Sequence, residues 1–249
     1  MTLSRRPSAI AFDCYGTLLD VTESDFIRAC DAILRRHAIE HDSREFWQAW
    51  LSASRALAKE QGRDPDSLDG DEPEFQPFRT RWPQTFSRAF QDAGLSADAV
   101  AAYEAFHDTL CRGIAYPDTR PALERLRPHF RIAVVSNADD DHLLQALRDN
   151  DLAASGLFEF ILSSEGARSY KPRRGIFEQT AERFNLPPNE IMYVGDSPIA
   201  DVLGARSAGM PVTWLNRLSA VRPERVPAPD VEVADLGAFA SLLLEAAPA

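Results

Sequence analysis

Two textures of apolar residues alternate along the chain. One consists of short apolar runs closed by polar or turn residues, at 8–12, 132–135, 158–162, 191–194, 211–215 and 231–233. Runs of this length and purity are expected of strands buried on both faces. The other shows apolar residues at spacings of three and four, over 121–127, 140–148, 176–184 and 199–208, and predicts helices. Strands alternating with helices imply a mostly parallel sheet covered by helices.

The stretch between 20 and 115 departs from that alternation. It carries no strand signal, and its spacing predicts helices over 22–37, 43–59, 78–93 and 97–112. In the first of these Phe26, Cys30, Ile33, Leu34 and His37 share one face; in the second Phe46, Trp47, Trp50, Leu51 and Leu57 do, and Ser43 is placed to cap it. Residues 61–77, rich in Asp, Glu, Gly and Pro, read as an exposed loop. The expected fold is α/β: a Rossmann-like parallel sheet formed by 1–19 and 116–249, with an all-helical unit inserted at 20–115.

Composition narrows the function classes. With 27 basic and 38 acidic residues the net charge is -11, which argues against nucleic acid and anionic membranes as partners. Any anionic substrate then requires a locally positive site. The three cysteines, Cys14, Cys30 and Cys111, show no metal-binding spacing and fit a reducing compartment. The polar residues 1–7 do not resemble a signal peptide and no stretch is long and apolar enough to span a membrane, so a soluble, cytoplasmic protein is expected. Only two of the basic residues are lysines, Lys59 and Lys171. A lysine retained among so many arginines suggests a need for a compact ammonium.

Four stretches carry candidate chemistry. Asp13 follows the first strand in Phe12-Asp13-Cys14-Tyr15-Gly16-Thr17. This places a carboxylate at a strand's carboxyl end, where open α/β sheets bind ligands. Gly16 permits a sharp turn there, and Thr17 can hold a phosphate oxygen or brace that turn. Ser136-Asn137 ends another strand, where a hydroxyl and backbone N–H groups can hold phosphoryl oxygens. Lys171 sits in Ser169-Tyr170-Lys171-Pro172. Gly195-Asp196 with Asp201 places two carboxylates at a strand end and on the first turn of the next helix, close enough to share a cation.

In order and spacing these stretches resemble the four motifs of the haloacid dehalogenase superfamily, over nearly the whole chain. The resemblance implies that Asp13 is the nucleophile, forming an aspartyl-phosphate. Ser136, Asn137 and Thr17 would contact the phosphoryl group, and Lys171 would neutralise nucleophile and phosphate. Asp13, the Tyr15 carbonyl, Asp196 and Asp201 would hold Mg²⁺. The helical insert resembles the cap many of these enzymes carry after the first motif. The expected reaction is Mg²⁺-dependent hydrolysis of a small phosphorylated substrate, by a monomer or homodimer.

Tyr15 departs from the phosphatase pattern, which has a second Asp there as general acid. Tyr at this position resembles the superfamily's 2-haloacid dehalogenases, which use no metal. Their fourth motif, however, usually has Ser-Asn where this chain has Gly195-Asp196. Dehalogenation through Asp13 is therefore the alternative, with Arg44 as a candidate halide ligand. A phosphonatase-like use of Lys59 as a Schiff base, or a non-catalytic binding protein, ranks lower. Cys14 is a rival nucleophile, but alternation along an extended backbone turns it away from its neighbour.

Overall fold

The computed structural model describes residues 6–61, 68, 74–153 and 156–245. The expected loop at 61–77 falls largely outside these residues. Strands β1 (Ala9–Phe12) and β2 (Leu19–Asp20) are followed by helices α1 (Glu23–Arg36), α2 (Ser43–Glu60), α3 (Phe78–Asp92) and α4 (Ala99–Cys111). Then come β3 (Ile114–Ala115), α5 (Thr119–Leu126), β4 (Arg131–Ser136), α6 (Asp140–Asp149) and β5 (Phe160–Ser163). The last section holds α7 (Ser164–Ala167), α8 (Arg174–Phe184), β6 (Ile191–Gly195), α9 (Gly204–Ser207), β7 (Val212–Leu215), β8 (Val231–Val233) and α10 (Leu236–Glu245).

The main sheet has the order β5-β4-β1-β6-β7-β8, and every neighbouring pair is parallel. Alternation along the central strands assigns each side chain to a face. Ile10, Phe12, Ile132, Val134, Met192 and Val194 pack into one buried cluster. Ala9, Ala11, Ala133, Val135, Ile191 and Tyr193 pack into the other. Both faces are covered, which is why these strands read as unbroken apolar runs. Chain order reverses at β1, which lies between β4 and β6, and such switch points open a crevice at the strands' carboxyl ends.

Helices α1–α4 enclose an aromatic cluster of their own, in which Phe46, Trp47, Trp50, Trp82, Phe86 and Phe106 are buried. The sequence pattern missed the ribbon at its base. Strands β2 and β3 pair antiparallel through Leu19 with Ala115 and Asp20 with Ile114. Two-residue strands are too short to give a periodic pattern. Asp42, rather than Ser43, caps α2: its carboxylate accepts from Glu45 N at 2.8 Å, and Ser43 becomes the first helical residue. Both residue types cap well, and the carboxylate comes first in the chain.

The acidic run 139–141 serves more than one helix. Rather than serving only α6, the buried Asp139 side chain caps α3, accepting from Phe78 N at 2.7 Å and Arg79 N at 2.8 Å. These bonds fasten the helical block to the sheet domain, and Arg79 adds a paired contact with Glu165.

Candidate active site

Asp13, Ser136 and Asp196 leave the carboxyl ends of the adjacent strands β1, β4 and β6, so parallel register brings them together. Ser136 Oγ donates to Asp13 Oδ1 at 2.7 Å. Lys171 Nζ lies 2.7 Å from the same oxygen, 2.7 Å from Asp201 Oδ1 and 2.9 Å from the Tyr193 hydroxyl. The ammonium is thus buried between two carboxylates and a phenol. Burial pulls its pKa down, but the charges of Asp13 and Asp201 outweigh that and hold it well above the usual lysine value.

Asp196 completes the cluster. Carboxylate oxygens of Asp13, Asp196 and Asp201 lie within 4.8 Å of one another. Burial first, then the like charges of Asp201 and Asp13, push the Asp196 carboxyl up to about 8. Asp196 is partly open to water on one side, which weakens the burial share of that push; the repulsion remains. Burial also raises Asp201, to about 6, against the opposing pull of Lys171.

Supporting groups fix these side chains. Thr17 is fully buried and its hydroxyl donates to Asp196 Oδ1 at 3.2 Å, which ties the first turn to the Asp196 carboxylate. Trp214 Nε1 donates to the Asp196 carbonyl at 2.8 Å. Asn137 is committed to Lys171 at both ends of its amide: Lys171 N donates to Oδ1 at 2.8 Å, and Nδ2 donates to the Lys171 carbonyl at 3.0 Å. Its side chain therefore positions the lysine. Asp201 Oδ2 accepts from Ser197 N at 2.8 Å inside a wide π-type turn over Pro198–Leu203, where a regular helix start was expected. Such turns recur at functional sites.

Two glycines make room. Gly16 has φ +79°, and a β-carbon on it would lie 2.5 Å from Asp196 Oδ2. One on Gly195 would lie 2.3 Å from the Asp201 carboxylate. The Gly16 backbone consequently lies against the Asp196 carboxylate. Tyr193 and Trp214 were not singled out from the sequence; each reads there as one more apolar residue in a buried strand.

Tyr15 turns its ring between the sheet's core and the helical block's core. Its hydroxyl is buried with no hydrogen-bond partner among the described residues, and burial holds its pKa well above the usual phenol value. Cys14 is fully buried in the cluster with Ile10 and Phe12, on the face away from the carboxylates, as alternation requires. Arg44 and Lys59 are exposed on α2. A cavity of about 230 Å³ opens beside Asp196, walled by Gly16, Thr22, Glu23, Tyr116, Asn216 and Arg217. A larger one, about 710 Å³, lies between α1 and α4 and touches none of the three carboxylates.

A family model for haloacid dehalogenase-like hydrolases matches residues 7–209, from β1 through the Asp196–Asp201 turn. The chain belongs to this family. It is therefore a hydrolase by descent, and its relatives include both activities weighed above. The (S)-2-haloacid dehalogenase H-109 of Pseudomonas putida is 27% identical over 241 residues, covering 95% of this chain and 97% of that protein. A 5-amino-6-(5-phospho-D-ribitylamino)uracil phosphatase of Escherichia coli is 30% identical over 226 residues, covering 88% and 85%. The crystal structure of the L-2-haloacid dehalogenase RSc1362 superposes with a TM-score of 0.74 at 22% identity, covering 97% of this hydrolase and all of that chain. Among the described residues no helix is long and apolar enough to cross a membrane.

Proposed function

We propose that this hydrolase is a Mg²⁺-dependent phosphatase of small phosphomonoesters, working through an aspartyl-phosphate on Asp13. The observation that carries the reading is the Asp196 carboxylate standing with those of Asp13 and Asp201. With all three carboxylates ionised, the single Lys171 ammonium leaves two negative charges unmatched, and without a cation that repulsion drives proton uptake on Asp196. A 2-haloacid is itself an anion, and such a cluster repels it. A divalent cation removes the mismatch and suits the all-oxygen donor set.

Asp13, Asp196 and Asp201 would hold Mg²⁺, with the Tyr15 carbonyl as the backbone ligand that the family resemblance implies. Bound there, Mg²⁺ would neutralise charge on the carboxylates and the phosphoryl oxygens. Ser136 and Lys171 both engage Asp13 Oδ1, which orients the carboxylate and leaves Oδ2 to attack phosphorus. The P–Oδ2 bond forms as the ester P–O bond breaks, and the leaving alcohol takes up a proton. Water then attacks the phosphorus of the aspartyl-phosphate, releasing phosphate and regenerating Asp13. Lys171 offsets the charge gathered on Asp13 and the phosphoryl group.

The buried Tyr15 phenol is a poor proton donor at neutral pH, so esters with good leaving groups should turn over best. The helical block at 20–115 acts in this reading as a cap that closes over the site and excludes water. The cavity beside Asp196, about 230 Å³, is lined by Val21, Leu215, Leu218 and Ala220 as well as by polar groups, and its size suits a small leaving group. Initial rates of phosphate release from a panel of small phosphomonoesters, with Mg²⁺ and after chelation, test the proposal. Full activity in excess chelator would overturn it.

A further inference from the structure

Where α4 meets α6, a second group of metal-type ligands lies apart from the carboxylate cluster. His107 Nε2 is 3.8 Å from Asp141 Oδ2, and His142 Nε2 is 4.0 Å from Asp141 Oδ1. The two imidazoles meet edge to face with ring centroids 4.2 Å apart. One ligand atom from each of these three residues falls within 4.8 Å of the others. The Nε2–carboxylate separations are too long for hydrogen bonds, and the groups are nevertheless held in a converging arrangement. Ligand atoms around a tetrahedral ion with bonds of roughly 2.0–2.1 Å stand about 3.4 Å apart, so small side-chain rotations would close the gap.

The surroundings fit an ion. Cys111 Sγ lies 3.7 Å from His107 Nδ1. With Nδ1–H directed at that sulfur, Nε2 presents its lone pair toward Asp141 and is the nitrogen free to ligate. His142 is fully buried; its Nε2 has one long contact, 3.3 Å to the Tyr103 hydroxyl, and its Nδ1 has no partner among the described residues. Such an imidazole is poorly satisfied as it stands. Charge points the same way. Asp139, Asp141 and Glu165 surround the single Arg79 guanidinium, an excess of two negative charges.

We propose that His107, Asp141 and His142 bind Zn²⁺ or a similar borderline transition-metal ion, and that this ion pins the helical block to the sheet domain. Two nitrogens and one carboxylate oxygen suit such a metal and leave a fourth position open. The ligands come from both sides of the contact: His107 from α4, Asp141 and His142 from α6. Occupancy would resist separation of the two units. The inference does not depend on the phosphatase reading.

The test is a Zn²⁺ titration of the full chain against a chromophoric chelator, in an Asp196→Asn background that disables the carboxylate cluster. One equivalent of Zn²⁺ should bind. Adding His107→Ala should weaken it about tenfold or more. Adding Asp141→Asn, at an exposed side chain, should do the same and decides the matter if the His107 variant misfolds. Co²⁺ in place of Zn²⁺ should give the visible absorption of a tetrahedral site, lost in both double variants. No uptake by Asp196→Asn, or affinity in both double variants equal to that of Asp196→Asn alone, would overturn the proposal.

Discussion

Gly16 stands so close to Asp196 that a β-carbon on it would lie 2.5 Å from the carboxylate oxygen Oδ2. The glycine meets two demands, a positive φ of +79° and open space for a charged group. Gly16→Ala should cost about 1–3 kcal/mol in backbone strain and displace Asp196. We expect the Mg²⁺ concentration for half-maximal phosphate release to rise at least about tenfold, as 1.4 kcal/mol implies. A Mg²⁺ titration of activity reads this directly, and an unchanged midpoint would remove Gly16 from the account.

Lys171 is ion-paired with two buried carboxylates, so its loss has a structural and a chemical effect. Lys171→Met should lower stability by about 3–5 kcal/mol, the usual result of leaving buried charge uncompensated. Denaturant unfolding without metal measures that. Turnover should vanish, while Mg²⁺, drawn by the extra unmatched charge, should restore part of the lost stability. A variant as stable as the wild type would mean that water already solvates the carboxylates.

Tyr15 fills the junction between the two hydrophobic clusters, and its hydroxyl has no hydrogen-bond partner among the described residues. Tyr15→Phe should therefore leave turnover within about twofold and stability equal or higher, since an unsatisfied buried hydroxyl costs about 1–3 kcal/mol. A fall of about 10² or more would instead identify the phenol as the general acid. Tyr15→Asp would bury a carboxylate in this apolar junction. Unfolding should therefore mask any gain on poor leaving groups from the added carboxyl.

Much of this was legible in the sequence. Runs such as Ile132–Val135 announce strands because parallel sheets bury both faces; Asp13 and Ser136 are marked by following such runs at once, and Asp196 by following one after Gly195. The connections between them were not legible. Nothing local to Asn137 signals that its amide closes on the Lys171 backbone, and nothing near Asp139 signals that it caps a helix 60 residues earlier in the chain. Those bonds depend on how distant segments pack, which no periodic pattern records.

The raised Asp196 and Asp201 carboxyls also predict how stability responds to pH. Their folded pKa values, about 8 and about 6, lie above the ordinary 3.8. The metal-free folded state therefore binds more protons than the unfolded chain, and stability is lost as pH rises from about 4 to about 8. His142, lowered to about 4 chiefly by burial, acts oppositely below 6.5. Between pH 6.5 and 8 the carboxyl effect should stand alone. Melting temperature in chelator should fall across that interval, less so for Asp196→Asn, and saturating Mg²⁺ should flatten the slope. A metal-free slope of zero or of opposite sign would contradict the charge imbalance.

The carboxylate cluster is the ground for reading a metal-dependent phosphatase rather than a halide-releasing enzyme. The most direct measurement runs phosphate release from an aryl phosphate beside chloride release from (S)-2-chloropropionate, on the same wild-type and Asp196→Asn preparations, as Mg²⁺ is titrated into chelated protein. The account predicts phosphate release that rises from zero with Mg²⁺, is lost in Asp196→Asn, and is accompanied by no chloride. Chloride release in chelator, with no phosphate at any Mg²⁺ concentration, would contradict it.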